Sequence, residues 1–362
     1  MTFNIYDLTT FFQWVDEFLR GAMAPAWAVT IEWVLIGLGY LLFFAVMGLF
    51  LVYAERKVCA FMQNRIGPNR VGLYGFFQTI ADFVKLMMKE LIPIKQCDKF
   101  LFNLAPFIVV IVSFLALSAI PFGPALHAID LDIGILFVTA VSAMGVIGYL
   151  LAGWSSNNKY SLVGGMRSGA QIISYELSVG LSLMTIIVLA GTMKFSEIVE
   201  LQAAGWFIFR GHIPAIIAFI LFLISSTAEV NRGPFDLAEA DSELTAGYHT
   251  EYSGIKFGLF YVAEYMNMFI ASAIAATVFL GGWMPFHITG LEGFNHVMDF
   301  IPPFIWFIGK TFFVIWVIMW FKWTFPRLRI DQLLTLEWKY LLPINLVNIL
   351  IMSFLVLMGW HF

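Results

Sequence analysis

The sequence predicts an all-α integral membrane protein with about eight transmembrane helices and additional amphipathic helices at the membrane surface. Of its 362 residues, 60% are hydrophobic and 12% are charged, whereas soluble domains carry about 25% charged residues. The apolar runs are long and continuous, as spanning helices require. They lack the alternation of apolar and polar residues that marks the strands of a membrane β-barrel.

Eight apolar segments are long enough to cross a bilayer. They cover residues 30–53, 101–121, 133–153, 169–191, 213–228, 255–282, 303–325 and 340–361. Together they form a single membrane domain over residues 30–362, preceded by an N-terminal segment over residues 1–29. In that segment the spacing of the apolar residues predicts an interfacial helix rather than a cleavable signal. These residues are Ile5, Leu8, Phe12, Val15 and Leu19.

Basic residues set the predicted orientation, because loops rich in Lys and Arg remain on the cytoplasmic side. Most of the 20 basic residues lie in or beside four loops, 54–100, 154–168, 229–254 and 326–339. These loops are therefore predicted to be cytoplasmic, and both termini lie on the other side. The chain is thus predicted to be a multi-pass membrane protein.

Five carboxylates and one arginine directly follow the apolar run of the fifth span. They are Glu229, Arg232, Asp236, Glu239, Asp241 and Glu243. An acid at membrane depth costs roughly 2.5–3.5 kcal/mol on insertion scales, so such groups are usually functional. A row of acids that leads into a membrane is what a proton route needs. The alternative is a solvated acidic surface; a helix here would place Asp236, Glu239 and Glu243 on one face.

Three ionisable residues lie inside other predicted spans: Glu176 in span four, Glu264 in span six and Lys310 in span seven. If spans four, five and six adjoin, Glu176, Glu229 and Glu264 would line one interior. A structural alternative is that Glu176 pairs with Arg167 or Lys310 and only holds helices together. Lys310 could equally partner a carboxylate or contribute to a water-filled path.

The first cytoplasmic loop contains a predicted amphipathic helix over residues 73–91, with apolar residues at helical spacing. Asp82 and Lys85 stand at a spacing that allows them to pair. The helix either anchors the loop to the membrane surface or forms one wall of a lipid-accessible slot for an apolar ligand, with Phe83 on that wall. Glu55 and Arg56 stand before this helix, at the end of span one. Arg65 lies in the turn between span one and the helix.

No complete active site is predicted in this chain. It has no P-loop and no dinucleotide-binding fingerprint. Its two cysteines, Cys59 and Cys97, lack the spacing of a cluster-binding motif, and the six histidines are scattered without metal-ligand spacing. We therefore assign no catalytic residue and no metal ligand. We also find none of the inverted repeats that many transporters show.

Several long motifs occur in an order that resembles one known family. They are Glu55-Arg-Lys, Gln63-Asn-Arg-Ile-Gly-Pro-Asn, Gly153-Trp-Ser-Ser-Asn-Asn-Lys-Tyr-Ser, Ser174-Tyr-Glu, Ala228-Glu-Val-Asn-Arg-Gly-Pro-Phe-Asp-Leu, Glu251-Tyr and Pro326-Arg-Leu-Arg-Ile-Asp-Gln-Leu. On these residues the chain resembles the family of the membrane-embedded H subunit of proton-pumping NADH:quinone oxidoreductase (respiratory complex I), equivalent to subunit 1 in mitochondria.

The resemblance implies a subunit that carries a quinone tunnel and an acidic funnel for coupling quinone reduction to proton translocation. For the tunnel it implies Glu55, Arg56, Arg65, Asp82 and Phe83. For proton coupling it implies Glu176, Glu229, Asp236, Glu239, Asp241, Glu243 and Glu264, with supporting charge from Arg167, Arg232 and Lys310. Quinone is then the substrate, and this chain binds no cofactor alone. FMN and the iron–sulfur clusters are expected in partner subunits.

The resemblance also implies partners of three kinds: peripheral quinone-module subunits, small membrane subunits that lead to antiporter-like subunits, and membrane lipid, with no nucleic acid. Two other functions fit part of the pattern. One is the homologous membrane anchor of a membrane-bound hydrogenase, and the other is an independent ion carrier. A purely structural anchor would leave Glu176 and Glu264 without purpose.

Overall fold

The chain folds as a bundle of membrane-length helices. The computed structural model describes residues 14, 16–18, 20–21, 25–92, 94–124, 126–203, 205–238, 241–287 and 292–360, and these contain helices and turns but no strand. Eight of the helices are long and apolar enough to cross a bilayer, which confirms the predicted all-α class with eight spans. The apolar residues on which the N-terminal interfacial helix was predicted, from Ile5 to Leu19, lie outside the described residues.

The helices are introduced here with the bounds that are used below. Spans one to eight are Pro25–Met62, Lys99–Ser118, Gly134–Ser155, Lys159–Ala190, His212–Glu229, Gly254–Phe279, Pro303–Thr324 and Ile330–Leu357. Between them lie the helix Gln78–Met88, which we call the loop helix, and the short helical segments Leu73–Gly75, Phe195–Leu201, Phe207–Arg210, Asp241–Leu244, Gly247–His249 and Glu292–Asp299. Span eight contains a π-helical segment, Glu337–Leu341.

Three spans are longer than the apolar runs predict. Span one continues to Met62, span four begins at Lys159 and span eight begins at Ile330. The helical hydrogen bonds run past the apolar stretch into polar sequence, because backbone pairing does not depend on the polarity of the side chains. As a result Glu55, Arg56 and Arg167 lie on rigid helices rather than in loops.

Side chains and glycine fix the ends of several spans. Asp98 accepts hydrogen bonds from the backbone N–H groups of Phe100 and Leu101, and Asn158 accepts one from Tyr160. Each satisfies N–H groups that have no partner inside the helix. Span four ends at Gly191, whose φ of +73° is the left-handed conformation that glycine tolerates best.

Span six occupies the centre of the bundle. Of the residues in its most apolar stretch, 89% are buried, compared with 17% in span one. Spans three and four pack closely against each other: a Cβ atom at Gly153 would stand 3.0 Å from the Cα atom of Gly165. The absence of a Cβ atom is therefore what lets these two backbones approach.

The loop helix packs against spans one and six. The single helix predicted over residues 73–91 is wrong in its length, because Gly75 takes a φ of +79° and interrupts it. A Cβ atom at Gly75 would stand 2.2 Å from the carbonyl oxygen of Pro68, so the turn at Pro68 and the start of the loop helix are in direct contact. The predicted pairing of Asp82 with Lys85 is confirmed at 3.6 Å.

Candidate functional site

An open cavity of about 920 Å³, which we call the mouth cavity, lies where the same end of spans one, six and seven meets the loop helix. Its lining residues are Glu55, Arg56, Cys59, Arg65, Ile66, Gly67, Pro68, Asn69, Arg70, Gln78, Tyr261, Tyr265, Lys322 and Trp323. Cationic side chains and aromatic rings thus share one space. The lining combines hydrogen-bond donors with apolar surface, as small-molecule sites commonly do.

Beside this cavity, four ionisable side chains from four parts of the chain form one connected group, which we call the ion cluster. Arg232 Nη1 donates to Glu55 Oε2 at 2.7 Å, and Lys322 Nζ donates to Glu55 Oε1 at 2.6 Å. Arg232 Nε lies 2.9 Å from Glu264 Oε1. The cluster has two carboxylates and two cations and is therefore neutral as a whole.

Arg232 is the centre of the ion cluster. Its side chain is 3% exposed, and its guanidinium lies 4.2 Å from the centre of the Tyr265 ring. Burial alone would lower the pKa of Arg232, but the Glu264 and Glu55 carboxylates hold it well above its usual value. Its charge is therefore permanent, and removing it would leave two buried carboxylates with only Lys322 in reach.

Three further arginines, Arg56, Arg65 and Arg70, line the mouth cavity, and two of them have side-chain partners. Arg56 Nη1 donates to Asp82 Oδ2 at 2.5 Å, and Gln78 donates to the other oxygen of that carboxylate at 3.2 Å. Partial burial raises the pKa of Asp82, but these hydrogen bonds outweigh it and bring the pKa below its usual range. Arg65 donates to Gln63 and to the sulfur of Cys59, and it forms no ion pair within the described ranges.

The predicted tunnel residues are mostly brought together. Glu55, Arg56 and Arg65 line the mouth cavity, and Asp82 reaches it through its bond to Arg56. Phe83 lies half-buried on the loop helix and is not among the lining residues. The assignment of these five residues to a quinone tunnel remains a prediction.

A second, smaller cavity of about 50 Å³, the interior cavity, lies among spans two to six. A site needs about 10–15 Å³ to hold one water molecule, so there is room for several. Glu176 of span four and Glu229 of span five both line it, and its other polar residues are Thr139, Ser142, Tyr149 and Asn267. Two of the three acids that were predicted to line one interior therefore do so.

Glu264 does not join them. We expected it to line the same interior as Glu176 and Glu229, but its carboxylate belongs to the ion cluster through Arg232. The physical reason is the sequence separation of three residues between Glu229 and Arg232. The chain leaves the helical conformation after Glu229, so Arg232 turns towards spans one and six while Glu229 remains beside span four.

The acids after Arg232 are held by arginines of other segments. Asp236 pairs with Arg327 at 3.1 Å, and Glu243 pairs with Arg167 at 2.6 Å. The prediction of one helix that places residues 236, 239 and 243 on a common face is wrong. Asp236 is not helical, and among the described residues of this segment the helix covers Asp241–Leu244. Glu239 and the side chain of Asp241 lie outside the described residues.

Lys310 and Arg167 have partners other than Glu176, contrary to one alternative raised by the sequence. Arg167 pairs with Glu243. Lys310 Nζ donates to the carbonyl oxygens of Gly282 at 3.0 Å and Met284 at 2.6 Å, and it lies over the Trp206 ring. It therefore fixes the turn after span six. Glu176 forms no ion pair within the described part of the chain.

Sequence reasoning missed several lining residues. Tyr261 and Tyr265 stand one helical turn apart beside Glu264, and the hydroxyl of Tyr265 donates to that of Tyr261 at 3.1 Å. Their spacing on the same helix as a buried acid was the available signal. Lys322 was counted only as a charge that sets orientation. No sequence pattern distinguishes a snorkelling lysine from one that turns inward.

The arrangement joins two kinds of chemistry. The mouth cavity offers cationic and hydroxyl donors to a polar, uncharged group with carbonyl oxygens, beside an apolar helix. Glu55 belongs both to the wall of the mouth cavity and to the ion cluster. Arg232, the centre of that cluster, follows Glu229 of the interior cavity by three residues. Within the described ranges, no three His, Cys, Asp or Glu side chains approach closely enough to hold a metal ion.

Comparisons with known proteins agree over nearly the whole chain. Residues 35–353 match the family described as NADH dehydrogenase. The NADH-quinone oxidoreductase H subunit of Bacteroides fragilis is 60% identical over 358 residues, which are 99% of this chain and 100% of the relative. The corresponding H subunit of Brevibacillus brevis is 45% identical over 92% of this chain and 96% of its own length. The NADH-quinone oxidoreductase subunit 8 of Rhodothermus marinus is 47% identical over 84% of this chain and 91% of its length.

Proposed function

Since this chain belongs to the family of NADH-quinone oxidoreductase H subunits, the membrane subunits of respiratory complex I, we propose that it guides quinone to its reduction site. We further propose that it couples this reduction to proton translocation. The mouth cavity would be the quinone tunnel. The acids from Glu176 to Glu264 would be the coupling funnel.

One observation carries this proposal: Arg232 forms ion pairs with Glu55 in the wall of the mouth cavity and with Glu264 in span six. Any change in charge at the cavity wall is therefore felt by a buried acid through one guanidinium, in surroundings that exclude water. Glu229, three residues before Arg232, lines the interior cavity with Glu176. A redox event at the mouth would thus act on the ion cluster, which lies three residues along the chain from an acid of the interior cavity.

The reaction requires protons as well as electrons. Quinone takes up two electrons and two protons to become quinol, and the electrons come from NADH through FMN and iron–sulfur clusters, which we assign to partner subunits. This chain would supply donors to the quinone carbonyl oxygens. Arg65 fits that role, since its guanidinium lies on the cavity wall without a carboxylate partner in the described ranges.

The same proposal implies a location in the membrane and a set of neighbouring subunits. We infer that the chain lies in the bacterial inner membrane with the mouth cavity on the cytoplasmic side and both termini outside. Peripheral quinone-module subunits would cover the mouth, and small membrane subunits would continue towards the antiporter-like subunits. The relatives named above are NADH-quinone oxidoreductase subunits, which favours this function over a hydrogenase anchor.

The funnel is tested by Glu229→Gln in the whole complex. The substitution keeps the size of the side chain but removes an acid of the interior cavity. We expect the complex to assemble and NADH-driven proton pumping to fall at least tenfold, with quinone reduction slowed in parallel. Pumping is measured in sealed vesicles with a pH-sensitive dye. The control is Glu200→Gln, which changes an exposed carboxyl outside both cavities.

Normal pumping in an assembled Glu229→Gln variant would remove the interior cavity from the coupling route. Purification addresses the carrier alternative. A coupling subunit co-purifies with a large assembly that oxidises NADH. An independent carrier is obtained alone and transports ions in vesicles without NADH.

A further inference from the structure

Span eight carries a completely buried carboxyl that belongs to neither cavity. Glu337 is 0% exposed, although the spans around it face a membrane on their outer sides. A carboxyl with no exposed surface is not solvated by water, so the protein around it must satisfy it or it binds a proton. No sequence pattern marks this residue, since it stands only a few positions from the polar segment that begins span eight.

A local distortion of the helix accompanies this carboxyl. Residues Glu337–Leu341 form a π-helical segment, in which the N–H of Leu342 donates to the carbonyl oxygen of Glu337. Pro343 follows; it has no N–H to donate, and its ring would collide with the carbonyl group of Lys339 in a regular helix. The wider turn relieves that collision. Such segments often occur at functional sites.

The carboxyl has one hydrogen bond and no cation. The hydroxyl of Ser178, on span four, donates to Oε1 at 2.5 Å. Oε2 is buried and has no partner, and Glu337 forms no ion pair within the described ranges. A carboxylate buried without a cation is strongly disfavoured, so such a group binds a proton instead. The geometry therefore indicates a neutral acid with its proton on Oε2.

The neighbours of Glu337 supply no charge that would reverse this conclusion. Tyr175 of span four donates its hydroxyl to the carbonyl oxygen of Leu333, and Trp338 donates to Ser174 at 3.3 Å. Asn345 donates to the carbonyl oxygen of Ser178. Spans four and eight thus share a seam of neutral hydrogen bonds, in which Glu337 is the ionisable carboxyl.

The seam lies across span four from the interior cavity. Ser178 follows Glu176 by two residues, which places their side chains on opposite faces of the helix at depths that differ by about 3 Å. Span four therefore separates Glu337 from the acids of the interior cavity by the thickness of one helix.

We propose that Glu337 is a proton-holding site of the coupling system: its buried carboxyl is neutral in the resting complex and releases its proton during turnover. On release the proton passes from Oε2 to a water molecule, and Ser178 remains bonded to the carboxylate. On uptake the proton returns from water to the same oxygen. The part of this inference that concerns turnover rests on the proposed function; the resting protonation of Glu337 does not.

The test is infrared difference spectroscopy of the whole complex in membranes, with NADH added in the presence of quinone. A protonated carboxyl shows a C=O stretching band that ¹³C-labelled glutamate shifts. We expect this band to be absent in Glu337→Gln and to move in frequency in Ser178→Ala, which removes its hydrogen bond. Glu200→Gln, the exposed control, leaves it unchanged. NADH should reduce the intensity of the band reversibly in the unsubstituted complex.

Each result bears on a separate statement. If the resting spectra of Glu337→Gln and the unsubstituted complex superimpose, Glu337 is not protonated and the proposal fails. If Glu337→Gln does not assemble, Ser178→Ala decides: an unmoved band overturns the assignment. A band that NADH leaves unchanged overturns the coupling role alone. Failure of the funnel itself is seen independently, as normal pumping in Glu229→Gln.

Discussion

Arg232 shows how one residue can connect two sites. Its guanidinium bonds to Glu55 and Glu264, which come from spans that lie far apart in the sequence, and it stacks on Tyr265. The planar fork of arginine can hold two carboxylates at once, whereas the single ammonium of lysine cannot do so in the same geometry. The identity of this residue therefore matters more than its charge.

At this scale we predict that Arg232→Gln destabilises the subunit. It leaves Glu264 buried without a cation, and the removal of one partner from a buried pair costs about 3–5 kcal/mol. The double variant Arg232→Gln with Glu264→Gln should recover part of this loss, because both charges are then absent. Thermal unfolding of the purified complex measures both variants.

The matched comparison is Asp130→Asn, which weakens a partly exposed pair with Lys194 on the other end of the bundle. Solvent screens that pair, so a small change is expected. If the double variant unfolds at the same temperature as Arg232→Gln alone, the two side chains are not coupled. The ion cluster would then not act as one unit.

Among the elements, the loop helix has the most direct bearing on the substrate. One side packs on spans one and six, and several of its apolar residues, including Val84 and Met88, remain exposed on this chain. An exposed apolar face on a helix parallel to the membrane suits contact with lipid. Its polar side carries Gln78 and Asp82, which reach the mouth cavity. The helix therefore stands between lipid and the predicted tunnel.

We predict that Phe83→Trp changes the KM for long-tailed quinone severalfold and changes that for a short-tailed analogue much less. Phe83 is half-buried, so a larger ring there narrows the space between the loop helix and the spans. Steady-state NADH oxidation with the two quinones gives both constants. Met88→Trp is the control on the same helix, because Met88 is 82% exposed and a larger side chain there meets no neighbour.

Equal effects of Phe83→Trp on the two quinones would exclude the loop helix from the path of the quinone tail. The helix would then only anchor the first loop, as the other interpretation of its amphipathic pattern holds. An effect of Met88→Trp as large as that of Phe83→Trp would point to altered membrane contact rather than to a slot.

On the scale of the whole molecule, the described chain separates an apolar outer surface from two polar interior regions. Span one has only 17% of its most apolar stretch buried, and large apolar side chains such as Trp33, Leu42 and Val46 are exposed along it. Lipid or other membrane subunits cover such a surface. The mouth cavity and the ion cluster lie at one end of the bundle, and Lys310 with its carbonyl partners lies at the other.

The orientation of the bundle gives a prediction of its own. A cysteine at Lys95 should react with a membrane-impermeant thiol reagent only in inverted vesicles, and one at Val297 only in right-side-out vesicles. Both residues are exposed, and the proposed cytoplasmic location of the positive loops would place them on opposite sides. Replacing Cys59 and Cys97 by serine provides the unlabelled background.

Labelling from the reverse sides would overturn the assignment of the termini to the outside. Equal labelling in both preparations would indicate leaky vesicles. A soluble thiol protein trapped inside the vesicles is the control, because it stays unlabelled only when the vesicles are sealed. The comparison uses the intact complex, so a position that a partner covers reacts from neither side until the membrane is solubilised.

The sequence alone established the class of fold and singled out most of the ionisable residues of the candidate site. Continuous apolar segments that cross a membrane form helices, since every N–H and C=O group in hydrocarbon must pair within its own segment. The motifs around Glu55, Glu176 and Arg232 can likewise be read from the sequence without knowledge of the structure. The free-energy cost of burying ionisable groups made them conspicuous.

Which of these ionisable side chains contact one another depends on the tertiary structure. Glu264 joins Arg232 and Glu55 instead of Glu176, and Glu337 finds Ser178 across two helices. Such contacts depend on the rotation and depth of each helix, which are set by packing between residues of different helices, such as Gly153 against Gly165. Hydropathy is a property of each segment by itself and does not specify how the segments face one another.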